Sequence, residues 1–234
     1  MVVSTLATAM HFDPVDIFFQ VVVLLFAISV HESAHAWMAN RLGDPTAKML
    51  GRVSLNPIVH IDPFGTILLP ALMILLHLPV FGWAKPTPVD PRNFKNRVRD
   101  DILTAVAGPV SNFITAFLSV VALAILIHGS MRGVPQNFRG ADIGGPLAQL
   151  FYSAITINVL LGVFNLIPLP PLDGSHVIRH FLSHESLKLY DRFGYIGLIV
   201  LIFVLPMIGI SVINILYSPA MAFYSGLLNL FLRL

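Results

Sequence analysis

Residues 17–35 read IFFQVVVLLFAISVHESAH. The first fourteen, Ile17–Val30, carry no charge and only Gln20 and Ser29 as polar side chains, and they run without a break into His31, Glu32 and His35. A segment that begins apolar and ends in two histidines and a glutamate reads as a membrane helix with chemistry at its end. Ionisable groups at such depth are costly and are by default functional.

Working outward, the rest of the chain is of the same kind. Apolar residues make up 56% of it and charged residues 11%, against roughly 25% charged in soluble domains; the mean hydropathy is +0.81. Further apolar runs cover Gly65–Trp83, Ile102–Ile127, Leu147–Leu169 and Ile196–Leu232. About 20 mostly apolar residues suffice to cross a bilayer as a helix, so the chain reads as polytopic. The net charge of +2 gives no reason to expect a nucleic-acid partner, and the absence of cysteine excludes disulfides and thiolate metal sites. Residues 1–16 lack the basic stretch of a signal peptide.

Between the runs lie turn and breaker signals. Asn56-Pro57, Asp62-Pro63 and Gly65 mark a loop after the first segment; Pro70 and Pro79 interrupt the second; Pro86, Pro88 and Pro91 forbid a long helix over the polar stretch Lys85–Asp100. A long helix is expected over Asp101–His128, a loop over Gly129–Gly145, and a helix over Pro146–Ile167 ending in Pro168, Pro170 and Pro171. Pro206–Gly209 divides the last apolar stretch into a hairpin. No internal repeat appears, and residues 1–234 read as one membrane-embedded domain, with a core over about 17–185 and a C-terminal hairpin over about 193–232.

On a helix, residues i and i+4 differ by about 40° in azimuth, so His31 and His35 share one face one turn apart and suit one tetrahedral zinc. Glu32, about 100° round from His31, is placed to take a proton from water at the metal without ligating it. Catalytic zinc sites take three protein ligands. The best third candidate is Asp173, which follows a proline-stiffened turn at the end of a membrane-length run and precedes Gly174, where the backbone can turn sharply. A rival set is His176, His180 and His184, spaced i, i+4, i+8, whose plainer reading is a polar juxtamembrane helix; His60 and Asp62 are a weaker pair that suits a structural turn.

Topology bears on the choice. Opposite faces of a bilayer core are about 30 Å apart, so His31, His35 and Asp173 must end at one face. If Gly65–Trp83 crosses fully, Asp173 emerges on the far side; if it dips in and returns, as its prolines permit, all three meet. Irregular backbone is tolerated at that depth when protein or a water cavity satisfies it. With a re-entrant segment, Arg41, Lys48, Arg52, Lys85, Arg92, Lys95, Arg97, Arg99, Arg179, Lys188, Arg192 and Arg233 share one side, against Arg132 and Arg139 on the other. Positive charge accumulates on the cytoplasmic side, which favours this arrangement and turns the site toward the cytoplasm. The fold expected is thus an all-α polytopic membrane protein. It has about five to six membrane helices and a re-entrant, partly extended segment after the first.

Three motifs in order then carry a resemblance: His31–His35, Ala107-Gly108-Pro109-Val110-Ser111-Asn112, and Asn165 through Gly174. With Gly51–Pro57, His60–Pro63 and Trp83–Pro86 between them, the chain resembles the site-2 protease family. Its nearest likeness there is the small prokaryotic branch without PDZ or nucleotide-sensing CBS domains. The resemblance covers roughly residues 17–185. It implies one zinc per chain held by His31, His35 and Asp173, Glu32 as general base, and proteolysis of transmembrane protein substrates within the lipid bilayer of a prokaryotic inner membrane. It also puts Asn112 and Asn165 near the site, where each is either a substrate or oxyanion contact or a helix–helix hydrogen bond. Unlike larger members, residues 1–16 place no apolar helix before the one carrying His31. Two other functions stay open on the residues alone: a metal transporter, since intramembrane His and Asp also mark ion pathways, and an inactive helix-binding scaffold.

Overall fold

The computed structural model describes residues 14–76, 82–133 and 145–233. Within them the chain is helical, with no strand. Helix α1 spans Pro14–Leu42, followed by the short α2 (Thr46–Met49), a 3-10 turn at Pro57–Val59, and a π-helical turn at Pro63–Leu68 that continues as α3 (Leu69–Leu75). Next come α4 (Arg97–Gly133), α5 (Pro146–Asn165), the short α6 (Gly174–Arg179), α7 (His184–Ile199), α8 (Leu205–Met207) and α9 (Val212–Phe231). Helix α4 runs on through Gly133, and most of the remaining loop expected up to Gly145, with Arg139 and Pro79, lies outside the described residues.

Among the described residues, four helical stretches are long and apolar enough to cross a membrane: Phe18–Leu42, Arg97–Gly129, Pro146–Asn165 and His184–Met207. Their outer faces are apolar: Phe18, Val21, Val22 and Phe26 on α1, and Ile114, Phe117, Leu118 and Ile125 on α4, are all exposed. Their inner faces add small and polar residues to buried aliphatic ones. Ala27, Ala36, Ala39, Ala105, Ala116 and Ala124 are buried, together with Ser29, Asn112, Ser119 and Asn158. Small and polar inner residues suit lipid, since tails are as apolar as leucine and helices then associate through close backbone approach and interhelical hydrogen bonds. The chain is an integral, all-α polytopic membrane protein.

Helices α1, α4 and α5 pack mutually, and α9 lies against α4 and α5. The α4–α5–α9 contact is a cluster of Ala116, Val120, Leu123, Ile155, Val159, Val163 and Tyr224. Two polar ties fix α9: the Tyr224 hydroxyl donates to the Phe113 carbonyl at 2.8 Å, and His128 Nε2 donates to the Phe231 carbonyl at 2.9 Å.

The segment after α1 leaves the bundle and comes back. Asp62 caps the π-helical turn, its Oδ1 accepting from the Phe64 and Gly65 amides at 3.0 and 2.6 Å. On return, the Trp83 amide donates to the Gly65 carbonyl (3.2 Å), the Lys85 amide to the His60 carbonyl (2.9 Å), and the Thr66 hydroxyl to the Trp83 carbonyl (2.8 Å). The two ends of the run 65–83 therefore touch, and the run does not cross. A side chain at Gly65 would overlap the Trp83 indole, so glycine there is what lets the two limbs of this excursion close. The outgoing limb is helical, over residues 63–75, and the returning limb, 82–90, has no regular structure.

A buried carboxylate joins the same end of the bundle. Asp44 accepts from the Thr46 amide (3.1 Å), the Thr46 hydroxyl (2.5 Å), the Asp90 amide (2.7 Å) and Asn93 Nδ2 (2.8 Å). Burial pushes its carboxyl up, but these donors outweigh burial and hold it below the usual carboxylate range. The turn after α1 and the turn before α4, each flanked by basic residues, are thereby tied together on one side.

Candidate metal centre

His31 and His35 sit on the face of α1 turned toward α4, both buried. The 166–173 turn brings Asp173 to them: its Oδ2 lies 3.1 Å from His31 Nε2 and its Oδ1 3.4 Å from His35 Nε2, while the two Nε2 atoms are 3.0 Å apart. Two ligand atoms about 2.05 Å from a tetrahedral zinc are about 3.3 Å apart. The observed triangle has that size before any metal is considered.

The protons make the same point. His35 Nδ1 lies 2.7 Å from the Thr104 carbonyl, an acceptor only, so Nδ1 carries the proton and donates. His31 Nδ1 likewise donates to Asn112 Oδ1 at 2.6 Å. With both rings neutral, each Nε2 then presents a lone pair to the other ring and to a carboxylate, and Asp173 Oδ2 is buried without a hydrogen-bond partner. In that state three acceptors converge with no donor between them. A cation satisfies all three at once, and the donor set of two imidazoles and a carboxylate suits zinc.

Helix α4 is the wall that holds this arrangement. Asp101, Thr104, Gly108 and Asn112 recur at helical spacing on one face. Thr104 orients His35, Asn112 orients His31, and Gly108 lies directly opposite both rings. A Cβ at Gly108 would come within 2.6 Å of His35 Cε1 and 2.7 Å of His31 Cε1, inside van der Waals contact. Gly108→Ala is therefore expected to displace both imidazoles and to weaken zinc binding by at least the roughly 10–100-fold that outer partners of a metal site carry. Chelator competition on purified protein measures this, and unchanged affinity would show that the rings have room to move.

Asp173 is presented by close packing of backbone. A Cβ at Gly174 would meet the Leu166 carbonyl carbon at 2.6 Å and the Ile167 oxygen at 2.7 Å, so α6 starts hard against the end of α5. Gly174 serves close approach and not the sharp turn that the sequence suggested, since it is absent from the glycines of positive φ (Gly43, Gly51 and Gly209). Leu172, beneath the turn, packs with Ile167, Leu198 and Leu201.

Glu32 is not part of the triangle. Its Oε2 accepts from the Thr87 amide at 3.0 Å and the Thr87 hydroxyl at 2.8 Å, leaving Oε1 outside both bonds. Thr87 lies on the returning limb of the excursion, so that limb also reaches the acid next to the ligands.

The other sequence candidates fall elsewhere. Asn112 is fully buried and its amide is hydrogen-bonded to His31, Asn158 and Ala27. Asn165, half-buried at the end of α5, donates to the Leu161 carbonyl of its own helix at 3.1 Å. His176 and His180 both meet Asp101, at 3.1 and 2.8 Å, and pin α6 to α4, while His184 is exposed at the start of α7. Among the described residues these three do not form a metal-sized cluster; His31, His35 and Asp173 do. His60 is buried against the Ser54 carbonyl (2.7 Å), and Asp62 is the helix cap described above. Thr87, Thr104 and Asn158 were missed. The spacing of 101, 104, 108 and 112 contained a signal for Thr104, whereas Thr87 and Asn158 depend on how the chain folds back.

The profile of peptidase family M50 matches residues 19–208. "Putative zinc metalloprotease YwhC" of Bacillus subtilis (strain 168) is 39% identical over 190 residues, which are 80% of this chain and 80% of that protein. "Zinc metalloprotease MJ0392" of Methanocaldococcus jannaschii is 27% identical over 211 residues, 87% of this chain but 48% of that longer protein. No solved structure matches.

Proposed function

We propose that this chain, which belongs to peptidase family M50 and is a zinc metalloprotease of the site-2 type, cuts other membrane proteins in or near their transmembrane segments, with one zinc per chain. The observation that carries this reading is the triangle of His31, His35 and Asp173 set among helices long enough to cross a bilayer. A site so enclosed favours a substrate that arrives within the membrane.

When bound, zinc supplies Lewis acidity toward a carbonyl and makes water acidic near neutral pH. The chain's own residues supply the rest. His31, His35 and Asp173 hold the metal; Glu32, adjacent to the first ligand and steadied at one oxygen by Thr87, takes a proton from water and passes it to the leaving amine. A substrate helix must unwind first, because its amides are already hydrogen-bonded, and an extended stretch can then be held by main-chain pairing.

The segment around Ser54 suits that pairing. The Ser54 amide donates to Ser33 Oγ at 3.2 Å, and its carbonyl accepts from Ser33 Oγ and His60 Nε2, so this residue is fastened to α1 between the two ligands. The main-chain groups of Val53 and Leu55 take no hydrogen bond among the described residues, and both side chains are exposed. These main-chain groups are open to pairing with an extended substrate. Asn165 is a further candidate contact for a substrate amide. The basic turns joined through Asp44 support a cytoplasmic-facing site in a prokaryotic inner membrane.

The test is cleavage of a single-span protein by the purified enzyme in liposomes. Cleavage within the span is expected, abolished by a zinc chelator and restored by added zinc. Zinc flux without cleavage would replace the reading with transport, and zinc binding with neither cleavage nor flux would leave a helix-binding scaffold.

A further inference from the structure

The metal ligand His31 is governed by a chain of side-chain amides that runs across three helices. His31 Nδ1 on α1 donates to Asn112 Oδ1 on α4; Asn112 Nδ2 donates to Asn158 Oδ1 on α5 at 2.8 Å and to the Ala27 carbonyl at 3.3 Å; Asn158 Nδ2 donates to the Ala154 carbonyl at 2.9 Å. Asn112 and Asn158 are both sealed from solvent, at 0% and 1% exposure.

The direction of this chain is forced. An asparagine amide offers an acceptor at one end and two donors at the other, and a turned-over amide exchanges them. The Ala154 carbonyl can only accept, so it fixes the Asn158 Nδ2 on its side and leaves Asn158 Oδ1 toward α4. Asn158 Oδ1 and the Ala27 carbonyl then present two acceptors to Asn112, which fixes its Nδ2 there and its Oδ1 toward His31. His31 must in turn donate from Nδ1, so the neutral ring carries its lone pair on Nε2, where a metal can take it. Were the Asn112 amide reversed, it would present N–H to Nδ1, the ring proton would sit on Nε2, and His31 could not ligate.

The geometry points to Asn158 as a positioning residue for the metal centre, one that never touches metal or substrate but sets the tautomer of His31 through Asn112. This rests on the metalloprotease reading only in taking zinc as the occupant of the site. The plainer role for a buried membrane asparagine is to glue two helices together. The two roles separate in what they change: glue changes stability of the metal-free fold, whereas the relay changes metal affinity and does so only while Asn112 is present.

The experiment measures zinc affinity of the full chain in detergent by chelator competition, beside thermal unfolding of the metal-free protein. Wild type, Asn112→Leu, Asn158→Leu and the double variant form a cycle. Asn112→Leu is expected to weaken zinc by roughly 10–100-fold, Asn158→Leu by a smaller but measurable factor because the Ala27 carbonyl still accepts from Asn112, and the double variant by no more than Asn112→Leu alone. Asn158→Asp, whose carboxyl retains an acceptor for Asn112, is expected to bind zinc within a few-fold of wild type. If Asn158→Leu does not fold, Asn158→Thr carries the same expectation of loss. Its hydroxyl is absorbed by the carbonyl four residues back and is too short to reach Asn112. Wild-type zinc affinity in the folded Asn158 variants, or losses that add with Asn112→Leu, would overturn the relay while leaving the protease reading intact. A wild-type protein that binds no zinc would overturn both.

Discussion

Glu32→Gln is expected to lower the rate of substrate cleavage by roughly 10²–10⁴-fold, the range that a positioned general base contributes, while leaving zinc in place. The reason lies in the separation of roles along one turn of α1. His31 and His35 contact Asp173, whereas Glu32 is turned to Thr87 and is not part of the ligand triangle. Glutamine preserves the size of the side chain and keeps an oxygen that accepts the Thr87 amide and hydroxyl, so the returning limb should stay where it is. It cannot accept a proton at neutral pH, and the step that makes water nucleophilic loses its base. Cleavage followed under single-turnover conditions, with zinc content measured on the same sample, separates chemistry from metal loss. A wild-type rate in the zinc-loaded variant would remove Glu32 from the mechanism.

Much of this architecture was legible in residues 17–35 and in the apolar runs that follow them. Two imidazoles one turn apart need only helix geometry to share a face. The re-entrant path of residues 65–83 followed from two prolines and from the requirement that His31, His35 and Asp173 meet, and the contacts of Trp83 with Gly65 give that path a physical closure. The partners around the ligands were less legible, for a consistent reason. Asn112 was placed near the site, but whether an asparagine faces a substrate or a ligand depends on what stands on either side of it, and Ala27, Asn158 and His31 arrive from two other helices. Thr87 lies 55 residues from Glu32, at the end of a limb without regular structure, where no periodicity reports direction. Gly174 was visible as a glycine after an aspartate, but its need for space against Leu166 exists only once α5 and α6 are packed.

Asp173→Ala is expected to abolish stoichiometric zinc and, with it, cleavage. The triangle has three corners, and a zinc that catalyses needs all three protein ligands with a position left open. Removing Asp173 leaves two histidines whose Nε2 atoms are 3.0 Å apart with no anion facing them. The affinity lost should exceed the roughly 10–100-fold carried by outer partners, because a direct ligand and its charge go together. The fold should survive, since Asp173 makes no side-chain cap to α6 and that helix is pinned to α4 independently, through His176 and His180 on Asp101. His176→Ala is the informative companion. It removes an imidazole three residues away and loosens that pin, but it touches no ligand atom, so zinc should be retained. Elemental analysis of the two purified variants beside wild type decides the matter. Zinc lost with Asp173 and kept without His176 assigns the third ligand to the turn after α5. The reverse pattern would move the third ligand onto α6, three residues further along on the same side of α5.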